Sequence, residues 1–597
     1  MPDQKPKMVD FDAALHNENY DAEYLIPPVS PDDLFTLADR KCESLDGQWG
    51  FAIDPYENGM RKKWFNEITA DDAGFPLPMD FDFDAWESIA VPACFNTQQK
   101  EFLFYEGMTW YTRRFYFVPD SEKPRVFMRF GGANYECRVW LNRKLIARHL
   151  GGSTPFAVEV TDYLQRENRL LVMVSNRRRP ENVPALNTDW FNYGGLYRSV
   201  GLYRMPKSFI KDLFVRLVPD GEMNKIAVSV KVEGNARDCT VSIPGLGLDL
   251  ALKLQDGEGE CVVPASPELW SPESPKLYSV TARCEADVLS DEVGFKDFRA
   301  QAEKVLLNGK RIFLRGISMH EDSADVGKSL RAQDIEKSFA IAKELGCNFI
   351  RLAHYPHSDM AARIADRVGL LVWEEVPVYW TILFGNPATY QCAQNQLKEL
   401  ILRDRGRVSV CVWSVGNENP DNDERLEFMK GLIDTCRSLD DTRLVSAACL
   451  VNYKKLAMED RLAEFVDIVG INEYYGWYRH NMEDLPRELA NLDIGKPVMI
   501  SEMGADALAG HHGSRDELFT EECQEYVYER QIEILSKFAF LCGLSPWILC
   551  DFRTPRRQNG FQRGWNLKGL VTADRNYKKK AFFTLQKFYH VKAKQSE

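Results

Sequence analysis

No stretch of the 597 residues approaches the ~20 apolar positions that a membrane-spanning helix needs. That excludes helical membrane proteins as a class. The N-terminus, MPDQKPKMVDFDAA, lacks the apolar centre of a secretory signal, so a cytoplasmic location is expected. A basic surplus is also missing: 75 Lys and Arg stand against 88 Asp and Glu, giving −13. A dedicated nucleic-acid binder needs a basic face to displace counterions, and this balance argues against one. The 14 cysteines form no CxxC pair and no metal-finger spacing. Several sit inside apolar runs (Cys411 in VSVCVW, Cys449 in SAACL, Cys550 in WILCDF), which reads as structural thiols in a reducing compartment.

What is present is an ordinary globular composition, 45% hydrophobic and 27% charged. The length suits about four domains of ~150 residues, or fewer if one is a barrel of ~250. Up to about residue 300 the texture is β, with short alternating runs broken by Gly, Pro, Asn and Asp. In KIAVSVKVEG, Ile226, Val228, Val230 and Val232 share one face. A seam near 205–210 divides the expected first sandwich, 20–206, from an immunoglobulin-sized one, 207–299; residues 1–19 read as a tail.

Beyond residue 300, apolar runs of strand length alternate with amphipathic helices. The expected strands are RIFLRGIS, NFIRLAH, LLVWEEV, VSVCVWSVG, RLVSAACL, DIVGINEYY, PVMISEMG and SPWILCDF. A helix over 330–345 carries Ile335, Phe339, Ala342 and Leu345 on one face and ends at Gly346. Eight buried strands with helices between them predict a (β/α)8 barrel over 300–597, and that fold keeps its chemistry at the C-terminal strand ends.

Those ends carry His320-Glu321-Asp322, His354-Tyr355, Glu374-Glu375, Asn417-Glu418, Asn472 to Tyr478, Glu502 and Trp547 to Asp551. A lone carboxylate there is usually a cap or an ion-pair partner. Glu418 and Glu502, ending strands 4 and 7, face each other across the mouth. Glycoside hydrolysis needs such a pair: one carboxyl protonated for the leaving oxygen, the other ionised against the anomeric carbon.

Two segments, SVCVWSVGNENP (409–420) and PVMISEMGAD (497–506), resemble the acid/base and nucleophile segments of glycoside hydrolase family 2. AWESIAVPACFN (85–96), YEGMTWYTRRF (105–115) and VWLNRKLIARHLGGSTPF (139–156) resemble that family's jelly-roll domain. LWSPESPKLY (269–278) resembles its immunoglobulin-like domain, and LLNGKRIFLRGISMHED (306–322) the start of its barrel. The resemblance implies a jelly roll, an immunoglobulin-like sandwich and a C-terminal TIM barrel. It also implies Glu418 as acid/base, Glu502 as nucleophile, and Asn417 on the sugar 2-hydroxyl. His354 and Trp547 would line the pocket, and Tyr478 would position Glu502.

WNLKG (565–569) resembles the Asn-x-Lys motif that marks the β-glucuronidases of this family, so Asn566 and Lys568 are expected to clamp a C6 carboxylate. NEYYGWY (472–478) and DWFNYGG (189–195) resemble further segments of that group and supply Asn472, Tyr474, Tyr478 and Asp189. The implied activity is retaining hydrolysis of β-D-glucuronides, on small molecules or uronic-acid oligosaccharides. It requires no metal or organic cofactor, and a homodimer or homotetramer is implied. Arg563 stands three residues before Asn566 where the family pattern has four. A β-galacturonidase or β-galactosidase therefore stands beside this reading, and a carbohydrate-binding protein without catalysis is the remote alternative. The connection after strand 3, 376–396, is short and resembles the type without a covering loop.

Three basic or histidine clusters have plainer readings. Arg177-Arg178-Arg179 reads as a solvated strand end, Lys578-Lys579-Lys580 as a helix flank, and His511-His512 as loop histidines rather than a metal pair.

Overall fold

A computed structural model describes residues 26–67, 83–492 and 494–595. The tail expected over 1–19 lies outside the described residues.

Alternating strands build the first unit as two antiparallel sheets. One has four strands, in the order 42–44, 200–205, 125–130 and 156–159; the other has six, ordered 87–91, 47–54, 108–116, 167–175, 136–141 and 144–150. Their inward residues, such as Val126 and Met128 against Val139 and Val172, share one apolar core. This is the jelly-roll sandwich. The chain leaves it after Met205 and enters a second sandwich at Phe209, with sheets of three and four strands. Ile226, Val228, Val230 and Val232 are all buried in its core, as their period of two requires.

After a short three-stranded antiparallel sheet over 298–311, eight parallel strands close into a barrel. We number them β1 (314–319, in two short pieces), β2 (Phe349–Leu352), β3 (Leu371–Glu375), β4 (Val410–Asn417), β5 (Leu444–Cys449), β6 (Ile468–Asn472), β7 (Val498–Glu502) and β8 (Leu541–Leu544). One piece of β1 pairs with β8 and the other with β2, which closes the circle. Every residue of β4 is buried, the signature of a parallel strand covered on both faces. The helix Ala332–Leu345 buries Ile335, Phe339, Ala342 and Leu345, and Gly346 ends it at φ 96°.

The last strand differs from expectation. SPWILCDF was the expected β8, but β8 is the preceding FLCGL run, where Gly543 interrupts the apolar pattern. A side chain at 543 would sit 2.5 Å from Leu314 Cβ, so the close approach of β1 to β8 requires glycine there. Ser545-Pro546 ends the ladder, and residues 547–551 spread over the barrel mouth.

The Lys578–Lys580 cluster is also not a plain flank. Lys579 is fully buried and donates to Asp551 Oδ1 at 2.8 Å and to the Leu567 carbonyl at 2.9 Å. Lys580 lies 3.2 Å from Glu522, and Lys578 reaches Glu344. Each cation at this helix start has its own carboxylate, which answers the unfavourable helix dipole. Arg177 and Arg178 are likewise tied to Glu57 and Glu106. Among the described residues no helix is long and apolar enough to cross a membrane.

Candidate active site

The jelly roll lends one loop to the barrel mouth. Phe191 N donates to the Arg553 carbonyl at 3.0 Å, Tyr193 Oη to Asp322 Oδ1 at 3.0 Å, and Arg198 pairs with Glu321 at 2.8 Å. These ties hold Asp189 over the barrel. There it accepts from Thr554 Oγ1 at 3.0 Å and from Arg557 at 2.5 Å.

A cavity of about 390 Å³ opens at the C-terminal ends of the strands. Glu418, Glu502, His354, Trp547, Tyr474, Tyr478, Asp189, Asn566 and Lys568 all line it. Asn417, Asn472 and Arg563 do not.

Glu502 ends β7. Its Oε1 accepts from Arg351 at 2.8 Å and its Oε2 from the Tyr474 hydroxyl at 2.6 Å. Arg351, on β2, is wholly buried and also pairs with Glu375 at 3.1 Å. Burial alone would raise the Glu375 carboxyl, but Arg351 and His354 hold it down at about 2. The sequence Glu374-Glu375 thus splits: Glu375 lies under the site, whereas Glu374 lies 3.7 Å from Arg403, neither of its oxygens has a hydrogen-bond partner among the described residues, and burial drives that carboxyl well up.

Glu418 follows β4 with a left-handed backbone, φ 52°, at a register shift between β4 and β5. A non-glycine residue adopts that conformation at a cost of about 1–2 kcal/mol, and here it turns the carboxyl into the cavity. Trp380 Nε1 donates to its Oε2 at 2.7 Å. Burial, and then the charge of Glu502, push its pKa up, against the hydrogen bonds from Trp380 and Asn472. So the two carboxyls have different surroundings: Glu502 is held by a guanidinium and a hydroxyl, while Glu418 is biased towards keeping its proton.

Asn417 ends β4 next to Glu418 and is buried. Its Oδ1 accepts from Arg351 at 2.9 Å and from Asn472 at 3.1 Å, and its buried Nδ2 finds no partner among the described residues. Asn472 is engaged on both sides, since its Oδ1 accepts from Ser501 at 2.7 Å. It therefore props Asn417 and neighbours the Glu418 carboxyl without lining the cavity itself.

Two expected assignments change. Tyr474, not Tyr478, holds Glu502; the Tyr478 hydroxyl accepts from Lys568 Nζ at 2.8 Å. Arg563 is exposed, and among the described residues its side chain donates only to the Gly560 carbonyl, because the rewritten loop 553–565 turns it outward. Arg557 occupies the cavity wall instead, with Asp189 and the Tyr478 ring beside it.

Lys568 has a partner that sequence reasoning missed. Its Nζ lies 2.5 Å from Asp506 Oδ2, and both side chains are buried. Burial works to lower the Lys568 pKa, but Asp506 and Tyr478 raise it overall, so the ammonium keeps its charge. Asn566 Oδ1 accepts the Lys568 backbone N–H at 3.1 Å, which fixes the Asn-x-Lys turn. Asp506 stands four residues after Glu502, and that offset was the available signal. A second was the lone charge of Arg351 in an apolar parallel strand. Among the described residues no group of three metal-ligating side chains gathers anywhere.

Family models match the chain in succession: the sugar binding domain of glycosyl hydrolases family 2 over 42–206, a second family 2 domain over 208–296, and the family's TIM barrel domain over 298–593. A β-glucuronidase of Paenibacillus borealis is 30% identical, across 92% of this chain and 96% of its own length. The chain belongs to glycosyl hydrolases family 2. It is thus a glycoside hydrolase, and the paired carboxyls lie where this fold keeps its chemistry. Among solved structures, the Bifidobacterium dentium β-glucuronidase complexed with coumarin-3-O-glucuronide superposes with a TM-score of 0.82 at 26% identity, covering 93% of this family 2 chain and 98% of its own. A family 2 β-galacturonidase of Eisenbergiella tayi bound to glycerol gives 0.79 at 25%, covering 92% and 96%.

Proposed function

We propose that this chain is a retaining β-glucuronidase that removes β-D-glucuronic acid from small-molecule glucuronides or uronic-acid oligosaccharides. One observation carries the reading: Lys568, Arg557 and Asn566 line one wall of the cavity that also holds Glu418 and Glu502. A C6 carboxylate docked there gains hydrogen bonds from an ammonium and a guanidinium in which both donor and acceptor are charged; a neutral sugar brings no opposite charge to them.

In the proposed first step the Glu502 carboxylate attacks C1, the C1–O bond breaks, and the leaving oxygen takes the Glu418 proton. In the second, water gives a proton to Glu418 and its hydroxyl to C1, releasing Glu502 and the sugar with retained configuration. Asn417 holds the sugar 2-hydroxyl through its free Nδ2. His354 and Trp547, stacked at 4.7 Å, wall the ring. Asp189 takes sugar hydroxyls, Tyr474 orients Glu502, and Asn472 orients Asn417. Proton and nucleophile both come from side chains, so these steps need no metal or organic cofactor.

The outward turn of Arg563 favours one second reading. A clamp built from Arg557 approaches the carboxylate from a different position in the chain, which keeps β-galacturonide, the C4 epimer, as the competing substrate. Trapping with a 2-deoxy-2-fluoro-β-D-glucuronyl fluoride tests the main reading. Covalent labelling of the peptide containing Glu502 supports it; labelling by the galacturonyl analogue alone supports the second.

A further inference from the structure

The proposed clamp occupies one flank of the cavity, formed by the β7 and β8 ends and the jelly-roll loop. A glycoside must set its leaving oxygen beside the acid that protonates it, so whatever surrounds Glu418 on the other flank faces the leaving group. That flank comes from the loops after β3, β5 and β6 and presents Trp380, Tyr453 and Arg479. Trp380 is fixed by its bond to Glu418, and Tyr453 by a hydrogen bond from its hydroxyl to the Asn472 carbonyl at 2.9 Å.

Arg479 is the unusual member. It lines the cavity half-buried, with its guanidinium against the Tyr453 ring. Among the described residues that guanidinium makes no side-chain hydrogen bond and no ion pair, whereas Arg351 and Arg557 each have a carboxylate. At the rim, exposed and outside the cavity lining, Arg556 lies 4.7 Å from the Trp380 ring centroid, and among the described residues its guanidinium bonds only the Asn187 amide oxygen. Elsewhere in the site the charges are matched: Lys568 with Asp506, Arg557 with Asp189. Here Arg479 stands beside Tyr453 and Arg556 beside Trp380; the carboxyls nearest in charge to Arg479, Glu473 and Glu488, are pushed up by burial and form no ion pair with it among the described residues. A partly desolvated guanidinium gains most from an anion that arrives with the ligand.

We propose that this flank is a leaving-group subsite for a ring bearing an anionic substituent, the ring against Trp380 and Tyr453 and the anion on Arg479, with Arg556 as a second cation. The inference rests on Glu418 being the acid. The anion has two chemical sources, a second acidic sugar in an oligosaccharide or the acid group of an aromatic aglycone.

Two matched pairs of substrates test it: 4-carboxyphenyl against 4-carbamoylphenyl β-D-glucuronide, and glucuronic acid β-linked to glucuronic acid against the same sugar linked to glucose. The wild type should favour the anionic member by about 10-fold or more in kcat/KM, mainly through KM, the worth of one charge-assisted contact. Arg479→Gln should bring that preference down to within about 3-fold, and Arg479→Lys should retain part of it. A preference confined to the disaccharides identifies the acidic sugar, and one confined to the aryl pair the aromatic acid. No preference in either pair, or an equal loss on both members in Arg479→Gln, overturns the subsite. Turnover of galacturonides or galactosides but no glucuronide overturns the glycone assignment instead, and the same pairs built on the accepted sugar then decide this one.

Discussion

The Lys568 ammonium sits 2.5 Å from the Asp506 carboxylate, with both groups buried at the wall of the catalytic cavity. The cation assigned to the uronate is therefore charge-balanced before any substrate arrives. In the proposed clamp its contribution is the placement of a paired ammonium at the cavity wall, and not an unpaired charge.

That pairing sets the first prediction. Lys568→Met leaves Asp506 buried, uncompensated and facing an anionic substrate. Breaking such a pair costs about 3–5 kcal/mol, and removing the second charge recovers much of it. Urea unfolding should show the loss in Lys568→Met and its partial recovery in Lys568→Met/Asp506→Asn. Hydrolysis of a glucuronide should fall by about 10²-fold or more in both, since neither restores the clamp. Full glucuronide activity in the double variant would contradict the assignment.

The two tyrosines separate cleanly. Tyr474→Phe removes the hydroxyl that holds Glu502, so kcat should drop by about 10-fold or more with little change in KM. Tyr478→Phe loosens Lys568 and should raise KM for glucuronides while sparing kcat. Steady-state kinetics on one glucuronide decides; the reverse pattern would return Glu502 to Tyr478.

The arginines give a similar contrast. Arg557→Ala should lower kcat/KM for glucuronides by about 10–100-fold, the value of a charge-assisted bond. Arg563→Ala, at an exposed position bonded only to a carbonyl, should stay within about 2-fold of wild type. Equal losses in both would mean that the 553–565 loop closes differently around substrate.

These contrasts also mark what was legible in the sequence. The barrel and the carboxylates at its strand ends could be read because parallel strands are apolar until their ends, which makes Glu418 and Glu502 conspicuous, whereas Asn566-x-Lys568 was legible only as a motif resemblance; all four line one cavity. The β8 register was not legible, because a close-packing glycine at 543 looks like a break. Arg557 was hidden because loop 553–565 is positioned by tertiary contacts to Asp189 and not by any local pattern. Tyr474 and Tyr478 lie one helical turn apart, and only the fold says which faces β7.

A pH profile follows from the Glu418 environment. Burial and then Glu502 hold its carboxyl above the usual carboxylate range. An acid catalyst works only while protonated, so kcat/KM should persist below that raised pKa and fall as pH rises through it. Glu418→Gln should abolish this descending limb and cost about 10²–10⁴-fold on substrates with basic leaving groups. A dinitrophenyl glucuronide, whose leaving oxygen needs no proton, should lose far less. A descending limb that survives the substitution would mean another group donates the proton.

A uronide-specific paired-carboxylate site is open to one decisive comparison. The purified protein is incubated with the p-nitrophenyl β-glycosides of glucuronic acid, galacturonic acid, galactose and mannose, with Glu502→Ala as control. Such a site gives rapid release from the glucuronide, little from the neutral sugars, and none in Glu502→Ala. Release from a neutral sugar in preference to both uronides would contradict it.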